Sequence, residues 1–221
     1  MHTASKNSLD NVVALSGRPI AVGGVGGSGT RAVAATLIAL GVDMGSDLND
    51  SLDDLSFNIL FKRRSFWPLD EHSAALEQAL QYYLSARGIL SQAQGLGADQ
   101  NIDLDHPATW PAPLADYFAG MAKDHDWQHR DWLIARLAHL LTARRIDRRW
   151  GWKEPNTHVV LPFLLANMPQ LKYVHVVRHG LDMAFSRNQN QLGLWGQDLL
   201  GRPVDRDSAT DSFDYWCAVH Q

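Results

Sequence analysis

A single cysteine, Cys217, excludes a disulfide within the chain and suits a reducing compartment, so we expect a cytoplasmic protein. Long apolar runs are also missing: the longest, around Ala32 to Leu40, is far shorter than the roughly 20 residues of a membrane-spanning helix, and residues 1–17 lack the apolar core of a signal peptide. Neither sign of charge dominates, since 20 Lys and Arg face 24 Asp and Glu for a net charge of −4. We therefore expect neither a membrane span nor a nucleic-acid partner.

The apolar content that is present suffices for one globular domain. Of the 221 residues, 45% are hydrophobic, which allows a buried core in a chain of this length. We therefore expect a single domain over residues 1–221. Apolar, β-branched segments alternate along it with segments of helical periodicity, and this alternation predicts an α/β fold built on a parallel sheet.

Three short apolar segments are the predicted strands of that sheet. They are "RPIAVGG" near the N-terminus, "RRWGWKEP" in the middle of the chain, and "LKYVHVVR", residues 171–178. A helix is predicted after each of them. The first begins at Ser28 or Gly29 and ends at Gly41, because glycine commonly terminates a helix. The last is predicted over "LDMAFSRNQNQ", with Ser186 more than one turn inside it.

A long segment between the first two strands is predicted to be mainly helical. Helical periodicity covers residues 70–88 and 128–146 within an insertion that spans residues 43–147. The chain ends in "SFDYWCAVHQ", whose apolar residues have the spacing expected at the beginning of an amphipathic helix. We therefore expect a further C-terminal segment beyond it.

The stretch "GGVGGSGTR", residues 23–31, joins the first strand to the first helix and holds five glycines in its first seven positions. Glycine lets the backbone curl around a ligand and aim successive N–H groups inward. The helix N-terminus adds a partial positive charge. Ser28 and Thr30 add hydroxyl donors, and Arg31 adds a guanidinium. A phosphate or a sulfate is therefore the expected ligand.

Three other interpretations of this stretch compete with that one. A Walker A loop ends in Gly-Lys-Ser/Thr, whereas Gly29 is followed by Thr-Arg, so that motif is excluded. Gly24, Gly26 and Gly29 match the spacing of a dinucleotide-binding fingerprint, and Asp43 follows at about the right distance, but it lies in "GVDMG", which is a poor second strand. A tight turn without a ligand is the remaining alternative.

The segment "YVHVVRHGLDMAFSRNQ" repeats the order of strand, turn and helix. Arg178 lies where the strand ends, which in α/β folds is the edge that binds ligands. Ser186 follows eight residues later, and its hydroxyl could face back toward the arginine. The alternative is a surface Arg178 in a salt bridge with Asp182.

These segments together resemble the sulfotransferase family. The resemblance rests on "VGGVGGSGTRAVAATLIALGVDMG", "WGWKEP" and "YVHVVRHGLDMAFSRN". It implies a three-layer P-loop-like fold, with a central parallel sheet flanked by helices, and 3′-phosphoadenosine 5′-phosphosulfate (PAPS) as the sulfuryl donor, with no metal. Carried over, the loop for the 5′-phosphosulfate consists of Gly26, Gly27, Ser28, Gly29, Thr30 and Arg31. The 3′-phosphate site consists of Arg178 and Ser186.

One departure from the family pattern concerns the catalytic cation. Many members carry Lys or Arg in the loop where this chain has Gly27. Negative charge builds on the bridging oxygen as the sulfur–oxygen bond breaks, so a cation is needed nearby. The resemblance places Lys153 of "WGWKEP" at this centre, with Arg31 assisting. The alternative is an ordinary exposed lysine at a strand end.

The implied reaction is in-line sulfuryl transfer to a hydroxyl or amine of a small molecule, a sugar or a peptide. Positioning and charge stabilisation supply most of the catalysis, and a general base takes the acceptor proton. The sequence leaves the base open, and the candidates are Glu154, His72, Glu71, Asp53 and Asp54. The insertion at 43–147 is placed on the acceptor side, where the basic cluster at 62–64 either binds an anionic acceptor or is a solvated turn.

Two other function classes stay open from sequence alone. One is another nucleotide-dependent enzyme, kinase-like or NAD-binding. The other is a nucleotide-binding module without catalysis, since Gly27 replaces a usual cation. The oligomeric state is not predicted.

Overall fold

A parallel three-stranded sheet forms the centre of the computed structural model, which describes residues 18–67, 69–70, 73–90, 102–104, 106, 109–110, 112–126, 128–142, 146 and 149–221. Strand β1 (Ile20–Gly23) lies between β2 (Gly151–Lys153) and β3 (Lys172–His175). In register, Val22 of β1 lies opposite Lys153 on one side and Val174 on the other. All three strands therefore end at one edge, where the glycine loop begins.

Helices connect and cover the strands. Within the described residues they are α1 (Thr30–Ala39), α2 (Leu55–Phe61), α3 (Ala74–Ala86), α4 (Ala112–Asp124), α5 (Arg130–Leu141), α6 (Leu161–Asn167), α7 (Gly180–Ala184), α8 (Asn190–Leu200) and α9 (Ala209–Val219). Short 3₁₀ helices cover Arg64–Phe66 and Pro155–Val160. No helix in these ranges is long and apolar enough to cross a membrane.

The two faces of the sheet are buried against different groups of helices. On β1, Ala21 belongs to the largest apolar cluster, which includes side chains of α2 to α6 and Trp152. Its neighbour Val22 packs on the opposite face with Ala34 of α1 and Val42. Successive side chains of β1 point to opposite faces of the sheet, so this strand packs against a layer of helices on each face. The predicted α/β fold, with a central parallel sheet flanked by helices, is confirmed.

The third strand is shorter than predicted. The sequence predicts it over residues 171–178, whereas β3 ends at His175. Gly23 is the last residue of β1 to pair with β3, and its partner is His175. The Val176 N–H still donates to the Gly23 carbonyl at 2.9 Å. Beyond that point β1 turns away into the glycine loop, so the residues after Val176 have no neighbouring strand to pair with.

The helix predicted after β3 is divided in two. Helix α7 ends at Ala184 and α8 begins at Asn190, so Ser186 lies in the turn between them rather than inside a helix. The Ser186 hydroxyl accepts a hydrogen bond from the backbone N–H of Asn188 at 3.2 Å. Local bonds of this kind compete with the helical pattern, which explains why the sequence-based prediction was wrong here.

Candidate active site

The glycine loop leaves β1 at Gly23 and enters α1 at Thr30. Gly24 and Gly29 have positive φ angles of 140° and 101°, which other residues rarely adopt. A Cβ atom on Gly24 would lie 2.4 Å from the carbonyl oxygen of Val176. The loop therefore lies directly against the backbone that follows β3, where the second anion site is predicted.

The polar side chains of the loop have different surroundings. Ser28 donates its hydroxyl hydrogen to the carbonyl of Val25 at 2.6 Å, which closes the turn. Thr30 is buried at the first position of α1. Arg31 is exposed and forms no ion pair with any residue that the structure describes. Backbone N–H groups are thus the main donors that the loop offers, and the Arg31 guanidinium remains available to a ligand.

The two residues of the predicted 3′-phosphate site lie on either side of α7. Ser186 lies beside the loop, since a Cβ atom on Gly27 would be 3.5 Å from the Ser186 Oγ. Arg178 is half exposed, and its Nε lies 3.5 Å from Oδ2 of Asp182, so the alternative ion pair does form. An exposed pair of this kind is worth about 1 kcal/mol at most, which a phosphate can exceed. The indole of Trp216 donates to the Arg178 carbonyl at 3.0 Å and fixes its backbone.

Lys153, the last residue of β2, is buried, with 2% of its surface exposed. Its Nζ donates to the carbonyl of Ser51 at 3.1 Å and pairs with the carboxylate of Asp53. Trp150 and Trp152, which precede it in the chain, are also buried. The alternative of an ordinary exposed lysine is therefore wrong, and the ammonium is held toward the turn that contains Asp53.

Glu154, the next residue, is directed at a different set of partners. Its Oε2 accepts from the Asn156 backbone N–H at 2.6 Å, and its Oε1 accepts from the side-chain amides of Asn156 at 2.8 Å and Asn58 at 3.3 Å. Burial raises the pKa of this carboxyl, and the charge of Lys62 opposes that effect. Glu154 is thus well placed to orient the two asparagines.

The candidates for the general base differ in which cavity they line. Asp54 is buried, caps α2 by accepting from the Phe57 N–H at 3.0 Å, and accepts from the Tyr83 hydroxyl at 2.8 Å. It lines a separate cavity of about 350 Å³. Glu71 and His72 lie outside the described residues. Asp53 and Glu154 line the same cavity as the glycine loop.

Two amide side chains connect the loop to the segment after β2, and no sequence pattern marks them for this role. The Gly26 N–H donates to Oε1 of Gln191 at 2.7 Å. Gln191 in turn donates from Nε2 to Oδ1 of Asn156 at 3.0 Å, and the Trp195 indole donates to that same oxygen at 2.8 Å. These side chains fix the position of the loop relative to Glu154.

A cavity of about 410 Å³ lies where these parts meet. Its walls come from the loop, the segment 49–62, helix α5, the segment after β2 and the start of α8. The lining residues are Gly26, Asn49, Ser51, Asp53, Leu55, Asn58, Lys62, Gln128, Trp132, Glu154, Pro155, Asn156, Asn188, Asn190 and Gln191. Lys62 is the member of the basic cluster that reaches this cavity, since Arg63 pairs with Asp124 and Arg64 with Asp198. Within the described ranges no group of three or more acidic, His or Cys side chains is placed to hold a metal ion.

Comparison with known proteins identifies the family to which this chain belongs. The model of the sulfotransferase family matches residues 19–220, nearly the whole chain. The chain belongs to the sulfotransferase family. The resemblance inferred from the three motifs is thereby confirmed, and membership supports a transferase of sulfuryl groups. No curated protein and no solved structure matches the chain.

The matched range includes every residue that the resemblance assigned to the donor and to the catalytic centre. The loop, Lys153, Arg178 and Ser186 all lie between residues 19 and 220. The fold brings Ser186 to the loop, and it brings Lys153 to a carboxylate on the wall of the adjoining cavity. Arg178 stays at the surface beyond β3.

Proposed function

We propose that the chain transfers the sulfuryl group of PAPS to a hydroxyl or amine of an acceptor by in-line displacement. The observation that carries this proposal is a single cavity bounded by the glycine loop on one side and by Asp53, the partner of Lys153, on the other. Anion-binding and proton-accepting groups thus face the same space. The family membership of the chain supports the same reaction class.

The loop residues Gly26 to Arg31 and the pair Arg178 and Ser186 are proposed to hold the donor. The two halves of this donor site are close because the loop backbone lies directly against the end of β3. A Cβ on Gly24 would be 2.4 Å from the Val176 carbonyl, so no space remains between the loop and that segment. N–H groups at the start of α1 favour a bound anion. When bound, PAPS supplies the sulfuryl group and a bisphosphate leaving group. The insertion at 43–147, which contributes Asp53 and Lys62, is proposed to form the acceptor side.

Asp53 is the proposed general base. Its side chain is 17% exposed at the cavity, whereas Glu154 is 2% exposed and binds two asparagines with its carboxylate. Asp53 would take the proton of the acceptor hydroxyl as the new sulfur–oxygen bond forms. Once protonated, it no longer neutralises Lys153. The Lys153 ammonium then stabilises the negative charge on the leaving oxygen, with Arg31 assisting.

Calorimetry with adenosine 3′,5′-bisphosphate tests the donor assignment. We expect binding by the wild type and about 10- to 100-fold weaker binding by Arg178→Ala, because a charge-assisted hydrogen bond to phosphate is lost. Arg149→Ala is the matched control, since Arg149 is exposed next to the N-terminal end of β2. Preferential binding of ATP or NAD over the bisphosphate would overturn the proposal.

Transfer of labelled sulfate from PAPS tests the catalytic assignment. Asp53→Asn and the double variant Asp53→Asn, Lys153→Met are expected to keep bisphosphate binding and to lose at least about 100-fold in turnover. The double variant leaves no unpaired buried charge, which guards against a folding defect. Unchanged turnover in the double variant would refute the roles of both residues. Bisphosphate binding without transfer in the wild type would favour a module that has lost catalysis.

A further inference from the structure

The cavity beside the glycine loop is unusually rich in amide side chains. Seven of its fifteen lining residues are asparagine or glutamine, whereas these two types account for 20 of the 221 residues in the chain. Cavities that hold apolar ligands are lined mainly by hydrophobic and aromatic side chains. Here the apolar lining consists of Leu55, Trp132 and Pro155. An apolar acceptor such as a phenol or a sterol would leave the unused amide donors and acceptors of this lining without partners, at a cost in affinity.

Some of the amides serve the fold, and others keep unused atoms. Asn156 and Gln191 are bonded within the network that supports the loop. Gln128 forms no side-chain hydrogen bond with any described residue. Asn58 donates to Glu154, but its Oδ1 accepts no bond from the described part of the chain. Both residues line the cavity to which Gly26 of the loop also contributes, so these unused donors and acceptors are available to a ligand there.

The charges at the cavity are balanced. Lys62, Asp53 and Glu154 line it, and the Asp53 carboxylate is neutralised by Lys153, which is buried and does not line the cavity. A strongly charged acceptor gains little from such a site. A primary amide, by contrast, both donates and accepts, which is the pattern that a hydroxyl group also presents. Trp132 contributes indole surface to the same lining, with Arg136 over its ring at 5.4 Å, and aromatic surface of this kind suits the C–H face of a sugar ring.

We propose that the acceptor is a sugar or a related cyclic polyol, selected by Gln128, Asn58 and Trp132. This inference rests on the proposed sulfuryl transfer. A ring hydroxyl gives its proton to Asp53 as its oxygen forms a bond to sulfur. The bond from sulfur to the bisphosphate oxygen breaks, and the bisphosphate leaves with the electron pair. The products are a sugar sulfate ester and adenosine 3′,5′-bisphosphate.

Binding to the protein saturated with adenosine 3′,5′-bisphosphate tests the inference without turnover. Saturation-transfer NMR would compare lactose, N-acetylglucosamine and myo-inositol with 2-naphthol and a tyrosine-containing peptide. We expect at least one saccharide or polyol to bind to the wild type. Its apparent affinity is expected to fall about tenfold in Gln128→Leu and in Trp132→Leu. Gln197→Leu is the matched control, because Gln197 is exposed on α8 and does not line the cavity.

Transfer of labelled sulfate to the same panel gives the second measurement. The saccharides that bind are expected to be sulfated, with KM raised in Gln128→Leu and the affinity for the bisphosphate unchanged. Binding or sulfation of 2-naphthol or the peptide above every saccharide and polyol would overturn the inference, as would no saccharide or polyol binding at all. Failure to bind the bisphosphate would instead remove the proposed function on which it rests.

Discussion

Acid destabilisation centred on His158 is the prediction for which the structure gives the most direct magnitude. His158 lies in the 3₁₀ helix Pro155–Val160, and its Nδ1 donates to the Pro155 carbonyl at 2.9 Å. Its Nε2 is buried without a hydrogen-bond partner among the described residues. The ring of His175 lies 6.3 Å from it, and the ring of His220 lies 4.9 Å from His175. Burial, reinforced by these two neighbours, lowers the pKa of His158 from 6.5 to about 4.

The sign and size of the effect follow from proton linkage. Between pH 6.5 and 4 the unfolded chain protonates this histidine, while the folded chain holds it neutral. Stability therefore rises with pH across that window, is fully present above pH 6.5, and is lost as the pH falls through 4. A shift of this size corresponds to about 3 kcal/mol in total, of which about 2 kcal/mol is lost by pH 5.

Urea unfolding at pH 7.5 and pH 5 measures this contribution. Between pH 7.5 and pH 5, the free energy of unfolding should fall in both proteins. We expect this fall to be about 2 kcal/mol smaller in His158→Asn than in the wild type. His106→Asn is the control, since the His106 side chain is 70% exposed. Burial also lowers the pKa of His125 to about 4, so His158→Asn keeps part of the acid sensitivity. Equal pH dependence in His158→Asn and wild type would refute the assignment of a neutral His158 with a buried Nε2.

Two further predictions concern the support of the loop. Asn156→Ala removes the oxygen that accepts from Gln191 and Trp195, and we expect thermal unfolding to report about 2–4 kcal/mol lower stability, because buried donors are left unpaired; a loss below about 0.5 kcal/mol would contradict this. Gly24→Ala forces a Cβ to 2.4 Å from a backbone carbonyl, whereas the Cβ of Gly29→Ala, also at positive φ, meets no atom of the described residues within 4 Å. We expect the first to abolish bisphosphate binding in calorimetry and the second to cost about 1–2 kcal/mol in unfolding free energy with binding retained; equal effects would show that the close approach is unimportant.

The glycine loop and the buried lysine were accessible from sequence because their signals are local. Five glycines between an apolar strand and a helix leave few other structures for residues 23–31. Two tryptophans just before Lys153 reduce the chance that it is exposed, and the structure buries it at the end of β2. In both cases neighbouring residues carry the information, so no knowledge of distant contacts was needed.

The amide network and the choice of base required the folded chain. Asn156 and Gln191 are 35 residues apart and carry no charge, so neither composition nor periodicity marks them as partners. Asp53 and Asp54 are adjacent in sequence and identical in type, yet one lines the site and the other caps α2 beside Tyr83. The cause is local backbone geometry: Asp54 pairs with Leu48 in an isolated bridge, which sends successive side chains in opposite directions.

The pairing of Lys153 with Asp53 offers a physical reason why the loop can lack a lysine. A lysine at position 27 would present its charge to the donor permanently. The Lys153 ammonium is instead neutralised by a carboxylate in the free protein. In the proposed mechanism its charge is released only when Asp53 takes the acceptor proton, which is also when negative charge builds on the leaving oxygen. Charge stabilisation would then depend on the presence of an acceptor, so that hydrolysis of the donor by stray water gains less from the cation.

An Asp53→Asn variant separates the two effects, because it exposes the Lys153 charge without providing a base. It should therefore hydrolyse PAPS in the absence of acceptor at least as fast as the wild type, while its transfer to acceptor falls.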